Sequence, residues 1–336
     1  MSFFTYAVKE RLGQENKLVR IEAIIDWQPV KEKLAKIYKN EYQTVAGVKP
    51  YSSLSMFKAI LLQSWHSLSD PKLEEALRVR IDFMLFTGMG IEQATPDETT
   101  ICRLRNRLVT TGLDKKLFEE INKQLELRGL KIEKATGAVI DASVIESAAK
   151  PNRCINIAVD RNEEAEIKEE SNAEICESVD PDAKWLKNGS KSHFGYKLFL
   201  AADDQDGYAA GIDVTPANRS ETKHFAEFIE KIPCKKGMRM YGDKAYASKE
   251  NQERKPLTAR QKQKNLLISA RRYIVEQGYG TFKRILKFDR ASYIGIAKVQ
   301  GQAFRKAICF NLLKAVNKIK IYDWLPREWC IQLQLI

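Results

Sequence analysis

A chain of 336 residues is long enough for roughly two domains, and a hydrophobic content of 44% supplies a substantial core. No uncharged apolar run approaches the roughly 18 residues of a membrane span, and the start MSFFTYAVKERLGQ meets charge too early for a signal peptide, so a cytoplasmic protein without a membrane partner is expected. The formal charge of +12 points to a polyanionic partner, while six widely spread cysteines without a CxxC pair, and only three histidines, argue against zinc and against a disulfide framework. A metal bound here needs oxygen ligands, which favours Mg²⁺, Mn²⁺ or Ca²⁺.

From Tyr51 to about Gly129 the pattern is helical, with Phe57, Leu61 and Trp65 at four-residue spacing, and residues 1–134 are read as an all-helical N-terminal domain. Thr95, Pro96 and Glu98 read as an N-cap, a proline at the first helical position and a capping-box carboxylate. The helix that follows buries Ile101, Leu104 and Leu108 and turns Arg103, Arg105 and Arg107 elsewhere. That arginine face either lies on DNA or is an ordinary solvated face. After Lys134 the period becomes strand-like, so residues 135–320 are read as a second domain and 321–336 as a tail. GAVID, residues 137–141, is an apolar strand ending in an acid. Residues 160–182 then carry ten acids against two bases, too charged to pack, and about 150–185 reads as a flexible insertion.

Strand signals resume at Phe194 to Ala202 and Tyr208 to Val214, and the turn-rich DDQDG between them makes a hairpin. Asp203, Asp204 and Asp213 are assigned to turns and surface, while Lys191, His193 and Lys197 either touch DNA or guard an exposed strand edge. A helix follows with Phe225, Phe228, Ile229 and Ile232 on one stripe, and then MRMYGD, residues 238–243, a strand that ends in an aspartate. Strand, hairpin, helix, strand, helix suits an α/β layer, a mixed sheet flanked by helices, and resembles the ribonuclease H-like core.

Asp141 and Asp243 each close an apolar strand, where a side chain can leave the sheet and meet a ligand. Glu276 lies within a helix. At about 100° per residue, Arg272, Glu276 and Lys283 make one polar stripe, beside an apolar stripe of Val275, Tyr279, Phe282 and Leu286. Glu276 therefore sits at the margin of the buried face. Gly278 and Gly280 weaken this helix by roughly 1 kcal/mol each relative to alanine and call for a packing or close-approach reason. Around this helix, residues 251–320 hold seventeen Lys or Arg against three acids, a block suited to phosphates.

Five blocks in order, GAVIDASVIESA, VTPANRSETKHF, MYGDKAYASKEN, RRYIVEQGYGTFKR and RASYIGIAKVQGQAFRKAICFNLLKA, resemble the DDE transposases of bacterial insertion sequences, most closely the group called IS five. The stretch ATPDETTICRLRNRL resembles that group's helical N-terminal domain, so the likeness spans about residues 10 to 320. The resemblance implies Asp141, Asp243 and Glu276 as the catalytic, metal-binding triad. It also implies DNA contact by Arg272 and Lys283, which match the Arg and Lys of the family's Tyr, Arg, Glu, Lys signature; Ser269 stands where that signature has Tyr. Arg284, Arg103, Arg105 and Lys197 are added as expected DNA contacts. Only thirty-three positions separate Asp243 from Glu276, and the join around Asn251 to Lys255 is shorter than the family pattern.

Three converging carboxylates repel one another unless cations neutralise them, so two Mg²⁺ ions about 3.5 to 4 Å apart, with Mn²⁺ as a substitute, are the expected cofactor. The implied reaction is attack by water at the element's end, then attack by the freed 3′ hydroxyl on target DNA, both in-line displacements. Double-stranded DNA, from element ends and target alike, is the expected partner, bound by a homodimer or higher oligomer near the nucleoid. The alternatives to an active transposase are a chain that still binds DNA without cutting it and a metal-dependent nuclease that cuts without joining.

Overall fold

The computed structural model describes residues 3–38, 51–131, 137–151, 153–156, 173–176, 178–188, 190–232, 239–242 and 273–318. The helical region comprises α1 (Phe3–Leu12), α2 (Lys17–Ile24), α3 (Trp27–Leu34), a 3₁₀ turn (Ala35–Tyr38), α4 (Ser53–His66), α5 (Asp70–Val79), α6 (Ile81–Thr87), α7 (Glu98–Thr110) and α8 (Leu113–Leu127). Small polar residues set several of these starts: the side chains of Asn16, Ser52 and Ser69 accept from backbone N–H groups of the first turns of α2, α4 and α5. The start of α7 corrects the expected cap. Asp97, not Thr95, is the N-cap, its Oδ1 accepting from Thr100 N at 2.8 Å, and Pro96 lies before the helix rather than opening it.

Arg105 is a second correction. Instead of joining a solvated arginine face, it is buried, donating from Nη1 and Nη2 to the two Asp70 oxygens at 2.6 and 2.7 Å, with Tyr293 ring-on at 4.4 Å. The bidentate pair joins α7 to the start of α5 and satisfies a guanidinium that burial would otherwise penalise. Arg103 is exposed.

The sheet holds β1 (Gly137–Glu146), β4 (Lys184–Asn188), β5 (Lys191–Asp203), β6 (Ala209–Pro216) and β7 (Arg239–Tyr241); β2 (Arg153–Asn156) and β3 (Ala173–Cys176) form a separate pair. β7 runs parallel to β1 and β5 antiparallel to it, so the sheet is mixed, in the order β4-β5-β1-β7. The long β5 takes β4 along its first residues and β6 along the rest of the same edge, β6 forming the expected hairpin. Asp203 closes that hairpin, its carboxylate accepting from the backbone N of Gln205, Asp206, Gly207 and Tyr208. Asp204, also buried, accepts from Gly137 N at 2.9 Å.

Strand alternation divides the core. One face, with Ile140, Phe199 and Ala201, is covered by Phe228, Ile232 and Phe225, from α9 (Glu221–Lys231) and its end. The other face, with Val139, Ile145, Leu198 and Leu200, shares one continuous core with the helical region. α11 (Ile296–Lys318) joins the two, packing on β6 and on α2, α4, α7 and α8. Gly301 permits that approach, since a Cβ there would come within 2.7 Å of Asp114 Oδ2 and 2.9 Å of Val109. Further along α11, Arg305 pairs with Asp114 at 2.8 Å and Asn311 donates to Asn122 Oδ1 at 2.6 Å and accepts from Ala209 N at 2.8 Å.

The acidic segment departs from the flexible insertion expected. Its ends are built in: β2 pairs with β3, and Asp180, 1% exposed, accepts from Ser147 Oγ at 2.6 Å and from Tyr196 OH at 2.6 Å. A buried carboxylate with two hydroxyl donors anchors the chain despite the surrounding negative charge. Asp182 then accepts from Ile296 N at 2.9 Å, at the first residue of α11. Residues 157–172 lie outside the described residues.

Replacing Arg305 by Met leaves Asp114 buried and unpaired, so urea unfolding should show a loss of about 3–5 kcal/mol, much of it recovered in the double variant D114L/R305M. The neighbouring Lys306 gives a pH test. Burial pushes its amine down to about 8, while its Nζ donates to Ser64 O and Ser67 Oγ at 3.2 Å and to Leu286 O. The unfolded chain keeps this proton to about pH 10.4, so it binds more protons than the folded chain between about pH 8 and 10 and stability rises through that window. The urea midpoint of wild type relative to Lys306→Met should climb across it and be flat below it.

Candidate active site

Asp141 does not end its strand. The apolar run stops there, but pairing with β5 carries β1 on to Glu146, and Asp141 sits in mid-strand, half-buried, opposite Leu200. Alternation puts it on the face of Val139 and Ile145, the side that the third carboxylate's helix covers.

That helix, α10, occupies residues 273–284. Val275, Phe282 and, just beyond its end, Leu286 are fully buried, Tyr279 nearly so, and Glu276 is exposed beside them, as the sequence stripe requires. The hydroxyl of Tyr279 lies 2.6 Å from the carbonyl oxygen of Asp141 and 2.9 Å from that of Leu198. The helix carrying Glu276 is thus pinned to the backbone of Asp141 itself, one turn further along. Gly278 has its reason here, since a Cβ would stand 3.2 Å from Leu200 Cδ2, and Leu200 is the cross-strand partner of Asp141. At Gly280 the nearest neighbour of an added Cβ is the side chain of Arg284 on the same helix.

A second clamp follows the helix. Glu146 N donates to Asp289 O at 2.9 Å and Ala291 N donates to Glu146 O at 2.8 Å, a parallel bridge that holds the chain after α10 on the end of β1. With Tyr279 at Asp141 and Arg290 at Glu146, the 273–291 segment runs alongside β1 in the same sense.

The expected DNA contacts separate into two kinds. Lys283 is half-exposed and lines a cleft of about 540 Å³ with Ser143 and Val144, and Arg284 and Arg103 are exposed. Lys197 is buried, with Nζ 3.0 Å from Glu221 Oε1 and donating to Arg219 O at 3.0 Å. It lines the same cleft as Lys283, but its amine, like the guanidinium of Arg105, is already held by partners within the fold, because its strand position points it under the start of α9. Arg272 and Asp243, and the shortened join around Asn251 to Lys255, lie outside the described residues. Tyr279 was legible in the sequence only as an apolar stripe member; the available signal was that a buried phenol must find an acceptor.

Asp141 and Glu276 offer oxygen donors alone, the set that hard divalent cations take and zinc sites seldom use. Among the described residues no group of three His, Cys, Asp or Glu side chains converges, Asp243 being outside them. No described helix is long and apolar enough to cross a membrane.

A strand aspartate of a mixed sheet and a glutamate on the helix laid over it are the layout of a ribonuclease H-like nuclease core, and the family comparison agrees. Residues 133–312 match the model of the transposase DDE domain, more than half the chain, and residues 6–107 match a second transposase domain, DUF772. The chain belongs to the DDE transposases, which cleave and transfer DNA strands with divalent metal. Within that family it is similar to the transposase for insertion sequence element IS1106 of Neisseria meningitidis serogroup B, 37% identical over 234 residues that cover 65% of this chain and 78% of the relative. No solved structure matches it.

Replacing Tyr279 by Phe keeps the ring and removes the link to Asp141. The expected result is a stability loss of about 1 kcal/mol and slower DNA cleavage, with affinity for element ends unchanged, read by urea unfolding, single-turnover cleavage and gel shift.

Proposed function

We propose that this DNA transposase cuts its element's ends and joins them to target DNA at a site formed by Asp141, Asp243 and Glu276, with two Mg²⁺ ions, replaceable by Mn²⁺, as cofactor. The observation that carries this reading is the contact of the Tyr279 hydroxyl with the Asp141 carbonyl, which ties the helix of Glu276 to the strand of Asp141. Asp243 is assigned from the sequence blocks, two residues after the end of β7, the strand that pairs with β1.

When bound, divalent cations neutralise the carboxylates and stabilise the charge that develops on the phosphodiester oxygens. The chain's own residues do the positioning. Asp141 is held by the sheet ladder, Glu276 by the packed face of Val275, Tyr279 and Phe282, and neither can shift without breaking a buried contact. Lys283 follows Glu276 by two helical turns and Arg284 by one residue more, so both can hold phosphates on either side of the reacting bond. Arg272 is assigned the same role from its place in the stripe. Arg103, on the exposed side of α7, is assigned to duplex DNA outside the site. Both chemical steps, by water and then by the 3′ hydroxyl, are in-line displacements at one centre and need no covalent protein intermediate. Two element ends must be held together for joining, so the working form is at least a dimer on DNA, at the nucleoid in the cytoplasm.

The test uses purified protein and duplexes carrying the element's own ends. Asp141→Asn and Glu276→Gln should keep end binding and lose both cleavage and joining, a fall of at least about a thousandfold for loss of a metal-binding carboxylate, the scale of other essential electrostatic groups. Wild-type protein that binds the ends and never cuts them in Mg²⁺ or Mn²⁺ would leave the site assignment without its reaction.

A further inference from the structure

β1 ends at Glu146, opposite Gly195, and Ser147 N just beyond it still donates to Phe194 O, so among the described residues Lys191 to His193 of β5 pair with β4 alone. The start of β5 and the whole of β4 therefore project past β1 as a two-stranded arm. Its sequence is one-sided in charge. From residue 183 to 202 there are four lysines, Lys184, Lys187, Lys191 and Lys197, with His193, and no Asp or Glu. Lys197 is buried and paired with Glu221. Lys184, Lys187 and Lys191 are exposed, and among the described residues no ion pair is formed by any of them.

Lysines on an edge strand are explained well enough as guards against sheet-to-sheet association. That account does not cover Trp185, which is 47% exposed on the same strand, its ring 5.5 Å from Phe194. A large aromatic on a strand edge that no described residue pairs invites association unless something else is meant to cover it. The arm is also continuous with the active site: Lys187 and His193 line the same cleft as Ser143, two residues from Asp141, and Lys283, one turn beyond Tyr279.

We propose that the β4–β5 arm is a second DNA contact, taking the sugar-phosphate backbone of the duplex as it leaves the reacting phosphodiester. Alternation puts Lys187 on the face of Trp185 and Lys184 and Lys191 on the other, so a duplex laid along the arm meets lysines from both faces. These lysines neutralise phosphates, and Trp185 packs against the sugars beside Lys187, the pairing of cation and aromatic platform that nucleic acid favours. The direction of the duplex rests on the carboxylate site proposed above; the arm's affinity for DNA does not.

The experiment titrates full-length protein with end-bearing duplex at stepped NaCl, without divalent cation so that no cutting occurs. The triple variant K184A/K187A/K191A should bind at least tenfold more weakly at low salt, and the slope of log K against log salt should flatten by roughly 2 to 3, since each phosphate contact contributes about 0.9. Arginine at all three positions should preserve the slope, and Trp185→Ala should weaken binding with the slope unchanged. Single Lys→Ala variants, each flattening the slope by about 0.9, serve if the triple variant melts early. A folded triple variant with wild-type affinity and slope overturns the proposal. Failure of the carboxylate site shows separately, as absence of cleavage by protein whose arm is intact.

Discussion

The hydroxyl of Tyr279, set 2.6 Å from the carbonyl of Asp141, is the contact on which the seating of α10 against the sheet, and with it the proposed site, depends. A buried phenol has to find an acceptor, and the ladder between β1 and β5 supplies carbonyls whose second lone pairs are open towards α10. Because the acceptor is the backbone of Asp141, the carboxylate proposed for the metal site, the position of the helix is referred directly to that residue and not to a loop. Gly278 lets the helix come down onto Leu200, and the Asp289–Ala291 bridge on Glu146 prevents it from sliding along the strand. Two carboxylates that would drift apart on independent elements are carried by a strand and a helix locked together at two points.

α11 extends that rigidity to the rest of the molecule. Its buried polar contacts reach α8 through Asp114 and Asn122, α4 through Ser64 and Leu61, and β6 through Ala209. Burying Arg305 and Asp114 together costs desolvation that packing alone would avoid, and burial raises the Asp114 carboxyl's pKa against the pull of Arg305. What such pairs add is a unique register, since a helix shifted by one turn would strand each partner. For a transposase, the helices expected to hold DNA are thereby kept in one orientation relative to the site that cuts it.

The count of lysines and arginines overstates how much cation this surface offers to DNA. Lys58, Arg105, Lys197, Arg305 and Lys306 are all buried, each held by a carboxylate or by backbone oxygens. The remaining exposed cations therefore matter by location, and Lys283 of α10 and Lys187 of the β4–β5 arm meet along one cleft.

Read as a string, the chain already determined its layers, its hairpin with the DDQDG turn, the stripe that sets Glu276 beside Val275 and Tyr279, and its family. These are local or periodic properties, fixed by alternation, by helical spacing and by short blocks in order. The mid-strand place of Asp141 was invisible, because β1 extends past its apolar run only through pairing with β5, a partner some sixty residues away. Asp97 displaced Thr95 as a cap through a choice between near-equal local acceptors. Tertiary structure alone decided which cations are spent on the fold: Arg105 and Arg103 lie two residues apart on one helix, and nothing in their spacing tells that Asp70 waits for the first while the second meets water. Burial is a property of what packs against a residue, and for a charged side chain that is settled by distant partners, not by its own sequence neighbours.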